Sequence, residues 1–209
     1  MEKIILASSS KRRIEMMKNK NYEPLIMPAD VDEALPLSMT PEASVMYLAL
    51  KKAMFTEHGI LTAIHAANEL HMTDKIHTAD KTIDDDYIIL AADTVVVYDS
   101  CIIGKPKDKK EAFEILSTLR NNCHHVLTGV CIIDSSKNIK TCFCDDTLVY
   151  FKNYTDDELA AYVDTPEPYD KAGGYAIQET FKKYVDHIEG DFDNVVGFPW
   201  YRIEPYLSM

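Results

Sequence analysis

Residues 87–98 of this 209-residue chain have the sequence YIILAADTVVVY, an almost continuously apolar run that is rich in β-branched residues. Such a run predicts a strand that is buried on both faces. One charge interrupts it, at Asp93. Because an ionised carboxylate is expensive to bury alone, Asp93 needs a cation, hydrogen bonds or a metal. The alternative is that Asp93 lies at a strand end and caps a neighbouring loop.

Helices and further strands are predicted around this central run. The helix from Thr40 to Gly59 has strong signals, since Thr40 can cap it, Pro41 suits its first position and Gly59 follows its end. Two strands around a turn at 135–138 form a hairpin or lie side by side. We also predict a strand at 3–8 and helices at 10–19, 107–122 and 155–165. This mixture indicates an α/β fold with some antiparallel pairing.

A polar segment at 60–86 precedes the central strand and contains His65, His71 and His77. A spacing of six residues turns a helix by about 240° net, so these histidines do not share one helical face. We therefore predict an exposed insertion, partly helical, in preference to a metal site.

The chain is strongly acidic, with 22 Lys and Arg against 34 Asp and Glu and a formal net charge of −12. Such a charge disfavours general binding to nucleic acid or to anionic membranes. No run approaches the roughly 20 apolar residues of a transmembrane helix, and the first residues do not resemble a secretory signal. The five cysteines, an odd number, predict reduced and mainly buried thiols in a cytoplasmic protein.

The stretch ILASSSKRRIEMM at 5–17 places three cations in the first turn of a predicted helix, where Ser10 is the most natural cap. Cations there are unfavourable by roughly 0.3–1 kcal/mol each, because the amino end of a helix already carries partial positive charge. Lys11, Arg12 and Arg13 make sense if a polyanion such as phosphate binds at that end. The alternative is a solvated basic face on an acidic protein.

Two glycine corners carry further polar side chains. The sequence IIGKPKD presents Lys105 between a flexible glycine and a rigid proline. The sequence YDKAGGYAIQ ends in Gln178, whose amide offers a donor and an acceptor that suit the edge of a base. Taken alone, each corner is also compatible with an ordinary surface turn.

In this order the motifs resemble those of the Maf family of nucleotide pyrophosphatases. The matching segments are 6–13 (LASSSKRR), 32–33 (DE), 48–53 (LALKKA), 93–96 (DTVV), 104–106 (GKP), 128–130 (TGV), 170–178 and 190–199. The resemblance covers nearly the whole chain. Lys11 replaces the proline of the family pattern, and Glu179 and Thr180 replace the glycines that usually follow Gln178.

The resemblance implies a single domain over 1–209, in the fold shared by Maf proteins and inosine triphosphatases. That fold is an elongated mixed sheet with helices, arranged as two lobes around a central cleft. It implies hydrolysis of a nucleoside triphosphate between its α and β phosphates, with Mg²⁺ or Mn²⁺ as cofactor. Asp93 would be the proton acceptor, and Glu33 and Asp93 would contact the metal. The expected phosphate-binding residues are Ser8 or Ser10, Arg12, Arg13, Lys52 and Lys105, with Lys52 and Lys105 also counted as catalytic.

Within the resemblance, Arg13, Thr94 and Gln178 occupy positions linked to the choice of base. Thr94 resembles the branch that acts on dTTP and UTP, sometimes CTP, whereas the 7-methyl-GTP branch usually has Gln there. We therefore expect a pyrimidine triphosphate as substrate. The alternatives are a nucleotide-binding regulator of cell division without turnover, a phosphatase that releases orthophosphate, and a pyrophosphatase for 7-methyl-GTP or purine analogues. A homodimer is common in the family.

Overall fold

The computed structural model describes residues 3–36, 38–69, 76–78, 81–83 and 86–207. The strands are Lys3–Leu6 (β1), Leu25–Ile26 (β2), Ile76–Thr78 (β3), Lys81–Ile83 (β4), Tyr87–Tyr98 (β5), Cys101–Ile103 (β6), Cys123–Asp134 (β7), Ile139–Phe151 (β8) and Val185–Glu189 (β9). The helices are Lys11–Asn19 (α1), Pro41–Glu69 (α2), Lys109–Leu119 (α3), Asp156–Val163 (α4), Phe192–Val196 (α5) and Trp200–Leu207 (α6). Short 3₁₀ turns lie at Glu167–Asp170, Ala172–Gly174 and Thr180–Tyr184.

The main sheet is mixed, with strand order β2-β1-β5-β7-β8-β9 and with β6 paired to β5. Strand β1 runs parallel to β2 and β5, whereas β5, β7, β8 and β9 pair in antiparallel fashion. The β7–β8 hairpin closes at Asp134 and Ile139, around the predicted turn. The expected α/β fold with a mixed sheet is confirmed. Strands β3 and β4 form a small hairpin of their own.

The central strand β5 is buried on both faces, as its composition predicts. On one face Ile89 and Ala91 pack with Ala49 and Ala53 of α2. On the other face Ile88 and Leu90 belong to a cluster that contains Phe198 and Trp200. Alternate residues of β5 therefore hold α2 and the C-terminal segment on opposite sides of the sheet.

A separate cluster packs α3 and α4 against β7 and β8. Leu116 of α3, Leu159 of α4 and Phe151 of β8 are each less than 5% exposed and belong to this cluster. Several aromatic rings, including those of Tyr154 and Phe181, contact Phe151 there. A cleft is lined by residues of this cluster, such as Tyr175, and of the other clusters around β5, such as Ala7 and Ile177. The two-lobed arrangement stays a prediction.

Helix α2 differs from the prediction at its C-terminal end. Thr40 caps it by accepting from the Ala43 amide at 3.3 Å, and Pro41 is its first residue, as expected. The helix does not end at Gly59 but continues to Glu69. Ile60 is 1% exposed in the core beyond this glycine, and burying it outweighs the roughly 1 kcal/mol that glycine costs inside a helix.

The segment 60–86 therefore begins as helix, and β3 and β4 lie within it. His65 lies on α2, whereas His71 is outside the described residues. That this segment is an insertion stays a prediction.

Two further observations concern the cysteines and the membrane. All five thiols are free, but only Cys131 is buried, and Cys101 and Cys123 are exposed, so the expectation of mainly buried thiols is wrong. The reason is position: Cys101 and Cys123 lie at strand starts beside turns, outside the core. Among the helices that the structure describes, none has the length and apolar composition to cross a membrane.

Gly129 of β7 allows α2 to lie close to the sheet. A Cβ atom at this position would lie 2.6 Å from the Met46 amide nitrogen and closer still to the Val45 carbonyl group. These are backbone atoms of α2, so the helix would have to move as a unit. Gly129 is paired with Asp93 of β5, and the close approach therefore occurs beside that carboxylate.

We predict that Gly129→Ala destabilises the protein by about 1–3 kcal/mol or more, because the added methyl group overpacks a backbone contact. The measurement is urea unfolding followed by circular dichroism. Gly59→Ala is the matched control, since a Cβ there meets nothing within 4 Å. Alanine in that helical position is expected to stabilise by roughly 0.5–1 kcal/mol. Equal stabilities for the two variants would contradict the close approach.

Candidate functional site

The cleft has a volume of about 860 Å³ and receives every site residue that the sequence predicted. These residues are Ser8, Ser10, Arg12, Arg13, Glu33, Lys52, Asp93, Thr94, Lys105 and Gln178. Six Lys and Arg side chains line the cleft against four carboxylates, a formal balance of +2. A chain of net charge −12 therefore presents a locally basic cavity, which suits an anionic ligand.

Helix α2 places a cation, Lys52, beside Asp93. Lys52 Nζ lies 2.7 Å from Asp93 Oδ1 and 2.7 Å from Glu33 Oε1. The side chains of Lys52 and Asp93 are each 13% exposed, whereas that of Glu33 is 61% exposed. Asp93 is paired inside the sheet, so the alternative that it caps a loop at a strand end is wrong. A hydrogen bond from Lys52 lowers the pKa of the Glu33 carboxyl, although partial burial opposes this shift.

The first turn of α1 forms a second part of the cleft. Ser10 is its N-cap residue, but the Ser10 side chain makes no capping hydrogen bond. Ser8 Oγ instead accepts from the Ser10 amide at 3.2 Å and from Arg13 at 3.3 Å. The backbone N–H groups at this helix end, together with exposed Lys11 and half-buried Arg12, therefore border the cavity where an anion is expected.

Arg13 has a different environment from its two neighbours. Its guanidinium donates to the carbonyl groups of Gly197 at 2.8 Å and Ala92 at 2.9 Å, to Ser8 Oγ, and to Thr94 Oγ1 at 3.0 Å. Burial lowers its pKa to about 10, and the opposite charge of Asp93 acts against that shift. Four of its five N–H donors are used within the protein, so Arg13 mainly joins α1 to Ser8, to β5 and to the C-terminal segment.

Thr94 continues this hydrogen-bonded chain into the sheet. Its Oγ1 lies 3.0 Å from Thr128 Oγ1, and Thr128 donates to the Asn194 carbonyl at 3.0 Å. A hydroxyl has one hydrogen, so Thr94 donates to Thr128 and accepts from Arg13. The Thr94 hydroxyl is therefore engaged inside the protein, and it can affect a bound ligand through the position of Arg13. The sequence motifs that contain Thr128 and Asn194 gave no local sign of this role.

The opposite wall of the cleft is built from the Lys105 corner and from 170–179. The Gly173 amide donates to the Gly104 carbonyl at 3.0 Å and holds these two corners together. Lys105 and Gln178 are exposed and line the cavity. Lys171 lines the same wall, yet sequence reasoning assigned it no role, because a lysine in a glycine-rich loop gives no local sign of burial.

In donor type, the carboxylates of Glu33 and Asp93 match what the expected divalent ion requires. Lys52 Nζ lies 2.7 Å from an oxygen of each, so the two carboxylates share one ammonium group as partner. Mg²⁺ and Mn²⁺ prefer such oxygen ligands, and Mg²⁺ is typically held by one or two carboxylates together with substrate phosphates. The described residues contain no group of three or more His, Cys, Asp or Glu that could hold a metal without such help.

Comparison with known proteins places the chain among close relatives. A family model described as Maf-like protein matches residues 3–209. A dTTP/UTP pyrophosphatase of Caldicellulosiruptor bescii is 39% identical over 208 residues, which cover 100% of this chain and 94% of the relative. Proteins of the same name from Bacillus cytotoxicus and Agathobacter rectalis are 38% and 37% identical, with 97% of this chain covered and 93% and 95% of the relatives.

We predict that Thr128→Val destabilises the protein by about 1–3 kcal/mol, because the isosteric change leaves buried partners in the Arg13–Thr94 chain unsatisfied. Urea unfolding measures the loss. Thr118→Val is the matched control, since Thr118 is exposed and its hydroxyl donates only to the Glu114 carbonyl of its own helix. That change is expected to stay within about 0.5 kcal/mol. A Thr128 variant as stable as this control would contradict the network.

A second prediction concerns His124, which supports the cleft residue Tyr175. His124 Nε2 lies 2.7 Å from the Tyr175 hydroxyl, and its ring is buried against Phe151. Burial lowers the His124 pKa from 6.5 to about 3. Below pH 6.5 the unfolded chain therefore binds a proton that the folded chain does not, and stability is lost as the pH falls toward 3.

His124→Phe should remove this dependence, although it leaves the Tyr175 hydroxyl without its partner. We expect the difference in unfolding free energy between wild type and variant to shrink by up to about 1.4 kcal/mol per pH unit below pH 6.5. Denaturant unfolding at several pH values between 7.5 and 4.5 measures it. If the unfolding free energies of the two proteins depended on pH in the same way, His124 would bind a proton equally well in the folded and unfolded states, which would contradict the lowered pKa.

Proposed function

Because this chain belongs to the Maf family, we propose that it is a pyrophosphatase that hydrolyses dTTP and UTP to the nucleoside monophosphate and pyrophosphate. The observation that carries this proposal is the Lys52–Asp93 pair, which holds a carboxylate in a cleft that is locally basic. The names of the relatives support the substrates, and the cleft supports the reaction type.

The triphosphate would lie between the two walls of the cleft. Lys11, Arg12 and the first N–H groups of α1 border one side, and Lys105 borders the other. Lys52 donates to two carboxylates and has a third N–H donor that can reach a phosphate oxygen. Hydrolysis of a phosphoanhydride depends mainly on positioning and charge neutralisation, and cations on opposite walls supply both.

Asp93 would act as the general base. Lys52 contacts Oδ1, which leaves Oδ2 as the oxygen that accepts a proton from the attacking water. The water oxygen forms a bond to the α phosphorus. The bond from that phosphorus to the oxygen that bridges it to the β phosphate breaks, and pyrophosphate leaves. Strand β5 is the rigid support for this carboxylate, since both of its faces are packed.

Glu33 and Asp93 would hold Mg²⁺ or Mn²⁺, and a bound ion supplies neutralisation of the phosphate charge. The exposed amide of Gln178 would contact the base, and Arg13, tied to Thr94, would border that contact. A pyrimidine is the proposed base. The relatives that support it are named dTTP/UTP pyrophosphatase, whereas the regulatory reading and the purine reading have no comparable support. Five free thiols fit a reducing cytoplasm, and a homodimer stays a prediction.

We predict that the wild-type protein with Mg²⁺ or Mn²⁺ converts UTP and dTTP to monophosphate and pyrophosphate. In Asp93→Asn the rate should fall by about 10²–10⁴-fold, because the amide cannot accept the proton. Chromatography of the products measures both. Asp186→Asn is the matched control, since Asp186 is an exposed carboxylate on β9 outside the cleft, and it should retain wild-type turnover.

Other products would contradict the proposal in separable ways. Diphosphate with orthophosphate would exclude cleavage between the α and β phosphates. The same cleavage acting only on a purine or 7-methyl-GTP would overturn the choice of base. Tight nucleotide binding without turnover would favour the regulatory reading.

A further inference from the structure

The two residues after Gln178 attach that residue's loop to the segment that begins at Glu167. Glu179 Oε2 lies 3.2 Å from Lys171 Nζ. The Thr180 hydroxyl donates to Glu167 Oε2 at 2.7 Å. Each contact is made by a side chain, that of Glu179 or that of Thr180, and not by the backbone. Substitution of either side chain can therefore remove its contact while the rest of the loop keeps its sequence.

Lys171 is the buried residue that joins the two segments. Its side chain is 7% exposed and donates to the Glu167 carbonyl at 2.7 Å and to Asp170 Oδ1 at 2.7 Å, and it forms an ion pair with Glu179. Two of the three N–H donors of the ammonium group are thus engaged in hydrogen bonds, and its charge also attracts the Glu179 carboxylate. Glu167 takes part twice, because its carbonyl binds Lys171 and its carboxylate binds Thr180. The contacts form a closed ring.

Gln178 lies between this ring and the core. The residue before it, Ile177, is 5% exposed in the cluster with Phe198. The residue after it, Glu179, is held by Lys171 through its side chain and by the Ala176 carbonyl through its amide at 3.3 Å. The backbone of Gln178 is thus fixed on both sides, while its own side chain is exposed and lines the cleft.

We propose that Glu179 and Thr180 are positioning residues that hold Gln178 at the nucleobase and thereby set the discrimination between bases. The proposal rests on the proposed function, because it assumes a nucleotide in the cleft. A site that hydrogen-bonds one base rejects another when its donor and acceptor are fixed in direction. A Gln178 loop without these contacts would let the amide adapt to several bases.

The phosphate-binding wall does not depend on these contacts. The Lys105 corner is joined to the loop through the Gly173 amide and the Gly104 carbonyl, six residues before Glu179. Lys52 and Asp93 lie on α2 and β5. Loss of the Glu179 and Thr180 contacts should therefore change base discrimination and KM much more than the rate of the bond-breaking step.

The experiment compares wild type with Glu179→Gln, Thr180→Val and the double variant. It measures kcat and KM for UTP, CTP and GTP, and it measures UMP binding by calorimetry. We expect kcat for UTP to stay within about twofold, while the UTP/CTP and UTP/GTP ratios of kcat/KM fall by about tenfold in the double variant and UMP binds more weakly. Thr180→Ser keeps a hydroxyl and should keep the wild-type ratios.

Asp164→Asn is the matched control, since it removes an exposed ion pair with Lys109 that lies outside the cleft. Its ratios should equal those of wild type. Wild-type ratios in the double variant, equal use of the three nucleotides by wild type, or a fall in kcat with unchanged ratios would each overturn the inference. Absence of turnover in wild type would instead reject the proposed function, so the two failures can be told apart.

Discussion

The structure depends on one ion pair, formed by Asp93 in the middle of β5 and Lys52 on α2. A charge at the centre of a strand packed on both faces needs a partner that arrives from outside the sheet. Helix α2 can bring it because Gly129, paired with Asp93 on the neighbouring strand, has no side chain to hold the helix away. Directly paired residues of antiparallel strands face the same side, so the missing side chain and the carboxylate share that face. Gly129 thus permits the short distance between helix and sheet at which Lys52 reaches Asp93.

Arg13 meets a related constraint on the other side of the cleft. Its guanidinium is buried enough to lower its pKa to about 10, and the cost of burial is offset by hydrogen bonds to β5 and to the Gly197 carbonyl. The first turn of α1 therefore combines two functions. Arg13 fastens the helix to the protein, whereas Lys11 and Arg12 remain directed at the cavity. Cations at a free helix end are unfavourable. Here that cost is offset because Arg13 is hydrogen-bonded within the protein and because Lys11 and Arg12 can bind an anion.

Local patterns predicted the elements, and long-range contacts decided their details. The apolar run at 87–98 predicted β5. The motifs pointed to ten site residues, and all ten line one cleft. The end of α2 could not be predicted, because Gly59 is a local stop signal that Ile60 overrides through a distant core. The engagement of Arg13 was also hidden, since its partner Gly197 is 184 residues away in sequence. The exposure of Cys101 and Cys123 likewise depends on where the sheet ends.

The contrast between Lys52 and Lys171 shows why residue type alone does not assign a role. Each lysine lies in the cleft and binds two carboxylates, Glu33 and Asp93 for the first, Asp170 and Glu179 for the second. Lys171 also donates to the Glu167 carbonyl, and its side chain is 7% exposed, so its ammonium group is held within the wall. The described contacts of Lys52 use two donors, so its ammonium group can add a ligand oxygen without breaking either ion pair. The additional carbonyl contact therefore distinguishes Lys171, which is part of the cleft wall, from Lys52, which can bind a ligand in the cleft.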